Sequence, residues 1–404
     1  MTDSAVLQPG LQQPGWEVDR FIVSTALFGL ALLGGLIWLE TAPFMVALFV
    51  VGTVLGMALY HGAFGFTAGW RNLVVKKRGA GMRAQLLLFG VTSLIMVPML
   101  HSGQEGLVGA VAPVGTSLVL GSFLFGLGMQ LGGGCGSGTL FTVGAGNIRM
   151  VVTLVFFIAG AVLGSIHLPW WLDRPGFDPV PLVNTFGISG AILAQLVGLG
   201  LIAWWVNRIE RKAHGNVERD ELLWKNQGHG VLRTLISGRW PFTWAILILA
   251  AGNALTLAIG GAPWSITFAF NVWGAKALEV VGVNMSQFEF WQWDYPAMAL
   301  KDSVLTNIPS VMNFGLLLGA MLAAGLANRF NEASRNKPEG RQFLAAVVGG
   351  LLLGYGARLG FGCNIGALFS GIASASLHAW VWFACAFAGS LIGIRLRSWF
   401  RLPN

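Results

Sequence analysis

Ten apolar runs divide the chain, at about 20–39, 43–60, 82–100, 114–131, 150–168, 185–206, 240–260, 303–326, 343–359 and 376–396. Runs of roughly 17 to 25 residues are long enough to cross a bilayer as helices, which satisfy their own backbone polar groups where no water is present. Composition agrees, because 55% of the 404 residues are hydrophobic and only 10% are charged, too few to coat a water-soluble domain. The expected fold is an all-α polytopic membrane protein with about ten transmembrane helices and short re-entrant half-helices. The first nineteen residues are polar and lack the basic start and short apolar core of a cleavable leader. The first run is therefore expected to stay as a helix.

Loop charge sets the orientation. Arg71, Lys76, Lys77, Arg78 and Arg83 follow the second run, and Arg208, Arg211, Lys212, Arg219, Lys225, Arg233 and Arg239 follow the sixth. Arg329, Arg335, Lys337 and Arg341 follow the eighth, and Arg395, Arg397 and Arg401 close the chain, whereas loops 101–113 and 169–184 carry only Arg174. The excess of positive charge on one side assigns both termini to the cytoplasm. The net charge of +8 belongs to these loops, and no nucleic-acid partner is expected. Cys135, Cys363 and Cys385 all lie in apolar stretches, so free thiols are expected rather than a disulfide framework.

Two of those cysteines sit in a repeated setting. A shift of 228 residues lays Cys135 on Cys363 and pairs Gly126, Gly128, Leu131, Gly132, Gly134 and Gly138 with Gly354, Gly356, Leu359, Gly360, Gly362 and Gly366. The fourth run enters Cys135 from outside and the ninth enters Cys363 from inside, so the duplication is inverted, a common plan of secondary transporters. The expected division is a cytoplasmic tail 1–19, an extra helix 20–39, a first half 40–184, a linking helix and basic loop 185–239, and a second half 240–404. A weaker pair sets His61–Arg71 against Gly261–Phe268, with Phe64 opposite Trp264 and Thr67 opposite Thr267. Glycine-rich segments this short cannot cross, so each is read as a re-entrant loop, tolerated only inside protein or beside a wet cavity. The stretch Phe288–Tyr295 reads as an aromatic anchor at the outer interface.

Each cysteine stands where a glycine-rich turn hands over to a helix. Free N–H groups and the positive end of the helix dipole favour an anion there, and glycine lets it approach the main chain. A neutral thiol adds a polarizable contact and a weak donor. Cys135 and Cys363 are therefore the candidate substrate contacts, flanked by Gly134, Gly136, Gly362 and Asn364. The plainer reading, small residues for close helix packing, suits one such cysteine better than two in register. Arg358, whose counterpart is Gln130, has two open readings: it draws anions from outside, or it snorkels to the interface. Lys276 and Lys301 are expected to snorkel or lie in loops. Asn307 and Asn313 either line the cavity or bond between helices. Cys385, opposite Phe157 in the repeat, is expected only to pack.

Gly126-x-Gly-x-x-Leu-Gly-x-Gly-Cys135 with Gly138, and Gly354 to Asn364 through Cys363, resemble the YeeE/YedE family of membrane proteins, in both halves of the chain. This sulfur-transport family includes bacterial thiosulfate importers and a selenium-associated branch. The resemblance implies an hourglass-like inner-membrane transporter in which cysteines at the constriction, here Cys135 and Cys363, pass a sulfur anion in relay. Many members have a further cysteine where this chain has Phe66-Thr67, so a three-thiol relay is not carried over. Pro263-Trp264 and Trp273–Lys276 look more like the selenium-associated branch, and a small TusA-like sulfur carrier at the cytoplasmic face is the partner the family implies.

The expected function is a permease for a small inorganic sulfur or selenium species, not an enzyme, with no metal or cofactor. A nucleotide-binding Gly-x-x-x-x-Gly-Lys-Ser/Thr motif is absent. The alternatives are a membrane sulfur or redox relay that forms persulfides on Cys135 and Cys363, and a structural membrane subunit.

Overall fold

The computed structural model describes residues 18–218, 231–332 and 339–404. Most of the expected 1–19 tail, Arg219, Lys225, Arg335, Lys337 and the side chain of Arg233 lie outside the described residues. The chain is almost wholly helical: α1 (Arg20–Glu40), α2 (Pro43–His61), α3 (Phe66–Lys76), α4 (Ala80–Leu100), α5 (Thr116–Gly132), α6 (Gly136–Gly144), α7 (Ile148–Leu172), α8 (Leu182–His214), α9 (Val231–Ser237), α10 (Phe242–Gly260), α11 (Thr267–Val280), α12 (Asp294–Lys301), α13 (Ile308–Leu326), α14 (Gly340–Leu359), α15 (Ser370–Ala373) and α16 (Leu377–Leu396). Among the described residues, ten helical stretches are long and apolar enough to cross a membrane, and they fall on the ten expected runs. The eighth begins at Ile308 rather than 303, because Asn307 caps it by accepting from Ser310 N at 3.1 Å.

Three crossing stretches are interrupted: Pro43–Lys76, Thr116–Gly144 and Gly340–Ala373. A further break, at 261–266, separates α10 from α11. The segments beyond three of the breaks are short, with 11 residues in α3, 9 in α6 and 14 in α11. At about 1.5 Å per residue each of these three is too short to cross the roughly 30 Å of hydrocarbon by itself.

The duplication is visible in the packing. A side chain on Gly121 would run into Leu359 and Gly360, and one on Gly349 into Leu131 and Gly132. Gly121 and Gly349 are partners under the 228-residue shift, as are Gly132 and Gly360, so these are one contact made twice across a pseudo-two-fold. Only glycine admits such close backbones, the usual device where lipid provides no hydrophobic drive between helices. The relation extends outward: α14 packs on α7 as α5 packs on α16, and α2 packs on α13 as α10 packs on α4. Outside these, α1 lies on α13 and α8 lies on α4, matched places on either side.

Beyond the two cysteines the register changes once more. Gly354 meets the carbonyl of Phe157 and Gly126 meets that of Ala386, so Ala386, not Cys385, is the counterpart of Phe157. The second half has one more residue between Gly366 and Ser376 than the first has between Gly138 and Asn147. Asn364–Phe369 takes it up as a π-helical turn, in which Ala367 N and Leu368 N both donate to Cys363 O, at 2.9 and 3.3 Å.

The expected interfacial anchor at 288–295 is largely inside the protein. Phe290 and Trp291 are buried with Val162 and Leu168 of α7, and Trp291 Nε1 donates to Ser165 Oγ at 3.2 Å. Tyr295 alone among the larger rings of that stretch is strongly exposed, at 53%. The indole found a buried hydroxyl partner, which removes its reason to seek the headgroups.

Candidate substrate passage

The turn before each cysteine is fixed by a glycine. Gly133 has φ +98° and Gly362 has φ +148°, values that side chains rarely adopt. A methyl on Gly134 would stand 2.9 Å from Thr139 N, and one on Gly362 2.7 Å from Ala367 N, so each turn lies directly on the first turn of its half-helix. Cys135 and Cys363 then occupy the residue before the helix, with carbonyls accepting from Thr139 N at 2.8 Å and Ala367 N at 2.9 Å. Their side chains are 1% and 0% exposed. Cys135 Sγ lies 3.4 Å from Ser137 Oγ, and Cys363 Sγ accepts from Ile365 N at 3.4 Å.

The two turns meet. A methyl on Gly136 would be 3.0 Å from Cys363 Sγ and 3.4 Å from Ile266 Cγ2, so the second sulfur rests on the glycine next to the first cysteine. The break between α10 and α11 closes another side, with Ser265 Oγ 3.4 Å from the Cβ position of Gly366. Asn253 holds that break: its Oδ1 accepts from Trp264 N at 2.8 Å and its Nδ2 donates to Ser370 Oγ at 3.3 Å, while Ser370 Oγ donates to Trp264 O at 2.9 Å. Asn313 Nδ2 donates to Ile266 O at 3.0 Å. The first-half break joins the same core through Phe64 and Phe66, and Phe66 stacks on Phe89 at 6.1 Å.

Several polar atoms around this junction are buried without a hydrogen-bond partner: both amide atoms of Asn364, Trp264 Nε1, Thr139 Oγ1, Thr67 Oγ1 and Asn313 Oδ1. Leaving one such group unpaired costs about 1–3 kcal/mol, so this cluster beside two thiols offers free donors and acceptors to a polar partner. Asn364 was expected from the sequence. Trp264, Thr139 and Asn253 were not expected as substrate contacts, although Trp264 lies in the weaker repeat and Thr139 follows Cys135 by one helical turn.

The other candidates divide. The guanidinium of Arg358 lies 4.8 Å over the ring of Phe290, with Nε buried and unbonded, and its stem packs where a methyl on Gly164 would be 2.8 Å away. It is folded onto an aromatic ring instead of reaching for the interface. Its counterpart Gln130 donates to Ser390 Oγ at 2.7 Å and Thr67 O at 3.3 Å. Lys276 donates to Leu300 O at 2.6 Å, and Lys301 is exposed. Asn307 caps α13, and Asn313 belongs to the junction. Cys385 is partly exposed in α16.

The pattern described as sulphur transport matches residues 61–392. The chain is 26% identical over 357 residues to the thiosulfate transporter TsuA of Escherichia coli (strain K12), which covers 87% of this chain and 92% of that protein. It is 26% identical over 343 residues to TsuA of Spirochaeta thermophila, covering 82% and 92%. It is 36% identical over 161 residues to the probable transporter YedE of Salmonella typhimurium, a match spanning 39% of this chain and 38% of that protein's length.

Proposed function

The chain belongs to the sulphur transport family, and on that footing we propose that it is a permease for a small inorganic sulfur anion such as thiosulfate, passed between Cys135 and Cys363. The observation that supports the reading is the seat of Cys363 Sγ on Gly136, the residue next to Cys135. An anion in the neck meets two soft sulfur atoms, the N-terminal ends of two half-helices, and the free donors Asn364 Nδ2, Trp264 Nε1 and Thr139 Oγ1. Dipoles and neutral donors hold an anion without trapping it as several cations in the neck would. Gly134 and Gly362 keep the turns thin, and Arg358 adds positive charge near the end of α14.

The halves 40–184 and 240–404 form the passage in this reading, with α1 and α8 as matched flanking helices. Loop charge supports an inner-membrane orientation with both termini in the cytoplasm. The exposed Lys76 and Lys77, beside the half-buried Arg78, offer a docking place for a TusA-like sulfur carrier. A selenium oxyanion of similar size meets the same donors and is the alternative cargo.

The test is uptake of radiolabelled thiosulfate, sulfite and selenite by proteoliposomes containing the purified chain. Thiosulfate is expected to enter, and Cys135→Ala and Cys363→Ala are each expected to abolish entry at unchanged protein level. Unimpaired uptake by both variants would overturn the thiol role, and a persistent mass increase on either cysteine would favour a covalent relay.

A further inference from the structure

Three arginines gather at one end of the passage, at the end bearing Lys76, Lys77 and Arg78. Arg149 Nη2 donates to Leu131 O at 2.6 Å, and Arg397 Nη1 donates to Gln130 O, so both engage the carboxyl end of α5. Arg71 of α3 stands one helical turn after Thr67, whose carbonyl accepts from Gln130 Nε2 at 3.3 Å, at the same end of α5. Arg397 is otherwise held by Asn404 Oδ1 at 3.0 Å and Pro403 O, and Arg149 Nε donates to Gln342 O at 3.4 Å. Arg71 differs: its Nε is buried with no hydrogen-bond partner. No ion pair with a carboxylate neutralises any of the three among the described residues.

Helix capping explains two of these side chains and leaves the third. Like charges brought together at the edge of a membrane protein repel, and the arrangement is stable only with an anion or a compensating partner. Next to them Gly133 is exposed between buried Gly132 and Gly134, and its Cβ position is 3.2 Å from Arg149 Nη1. This opening is two residues from Cys135. The opposite end has no such set: the pseudo-two-fold puts Asn271, His378 and Leu168 where Arg71, Arg149 and Arg397 stand. The charge asymmetry is thus imposed on an otherwise duplicated frame.

We propose that Arg71, Arg149 and Arg397 form an oxyanion-receiving site at the inner mouth, which takes a small divalent sulfur oxyanion as it leaves Cys135. The site rests on the permease reading above. Guanidinium forks match oxyanion geometry, and the clustered positive charge raises the local concentration of anions at that mouth.

The test uses Arg71→Gln and Arg71→Lys, since Arg71 caps no helix. Binding of sodium thiosulfate and sodium sulfate to the purified full chain is measured by calorimetry, beside uptake in proteoliposomes. Arg71→Gln is expected to weaken thiosulfate binding about tenfold, with Arg71→Lys in between and a difference that shrinks at high salt. Arg149→Lys, which keeps the charge and a capping donor but loses the guanidinium fork, is expected to weaken thiosulfate binding less than Arg71→Gln does, with an unchanged melting temperature. Equal binding by wild type and Arg71→Gln overturns the site, whatever the uptake. Absence of thiosulfate uptake by the wild type, with binding still lost in Arg71→Gln, overturns the permease reading and leaves the site standing.

Discussion

Cys363 Sγ rests on Gly136, 3.0 Å from the place a Cβ would occupy, so the sulfur of one half touches the backbone directly beside the cysteine of the other. The space between the two turns is set by the hydrogen atom that glycine carries there. Gly136→Ala is expected to leave the fold intact, since an alanine suits the first turn of a helix, and to reduce thiosulfate uptake at least about tenfold by crowding the thiol. Uptake and melting temperature in detergent, measured together, separate the two effects.

Gly362 and Gly134 differ from Gly136 because their Cβ positions abut backbone, at Ala367 N and Thr139 N. Backbone cannot rotate aside. Gly362→Ala, which also meets φ +148°, is expected to destabilise the protein by about 2 kcal/mol or more. Thermal unfolding should show a lower midpoint for Gly362→Ala than for Gly136→Ala.

Asn364 brings an amide with neither atom bonded into a buried position. Replacing an unsatisfied polar group by an apolar one of similar shape is neutral or stabilising by about 1 kcal/mol, which makes Asn364→Leu a clean probe. The variant is expected to melt at or above the wild-type temperature while losing most of its uptake. Unaltered uptake would make Asn364 a bystander.

Glu210 is fully buried at the end of α8 and ties that helix to α4: it pairs with Arg83, accepts from Gly79 N at 3.2 Å and Glu218 N at 3.3 Å, and lies 3.5 Å from Arg78. Glu210→Ala leaves Arg83 without its countercharge and is expected to cost about 3 kcal/mol. Denaturation in detergent measures this, and thiosulfate affinity should not change in the folded fraction.

Thiol reactivity distinguishes the three cysteines. Cys385 is partly exposed, whereas Cys135 and Cys363 are buried at the junction. A small membrane-permeant maleimide is expected to label Cys385 first, and thiosulfate to slow whatever slower labelling the other two show. Cys385→Ala should transport as wild type.

Hydropathy and repetition are written along the chain, and they determined the ten crossing helices, the broken segments and the paired cysteines before any contact was known. They could not say which helix faces which, because in lipid an apolar surface carries no instruction about its neighbour, and close approach of small residues makes the choice. Tertiary packing alone seated Cys363 on Gly136, turned Arg358 onto Phe290, and drew Phe290 and Trp291 into the interior. It also moved the partner of Phe157 from Cys385 to Ala386, since one residue taken up by a π-turn alters every later pairing without changing a single hydrophobic run.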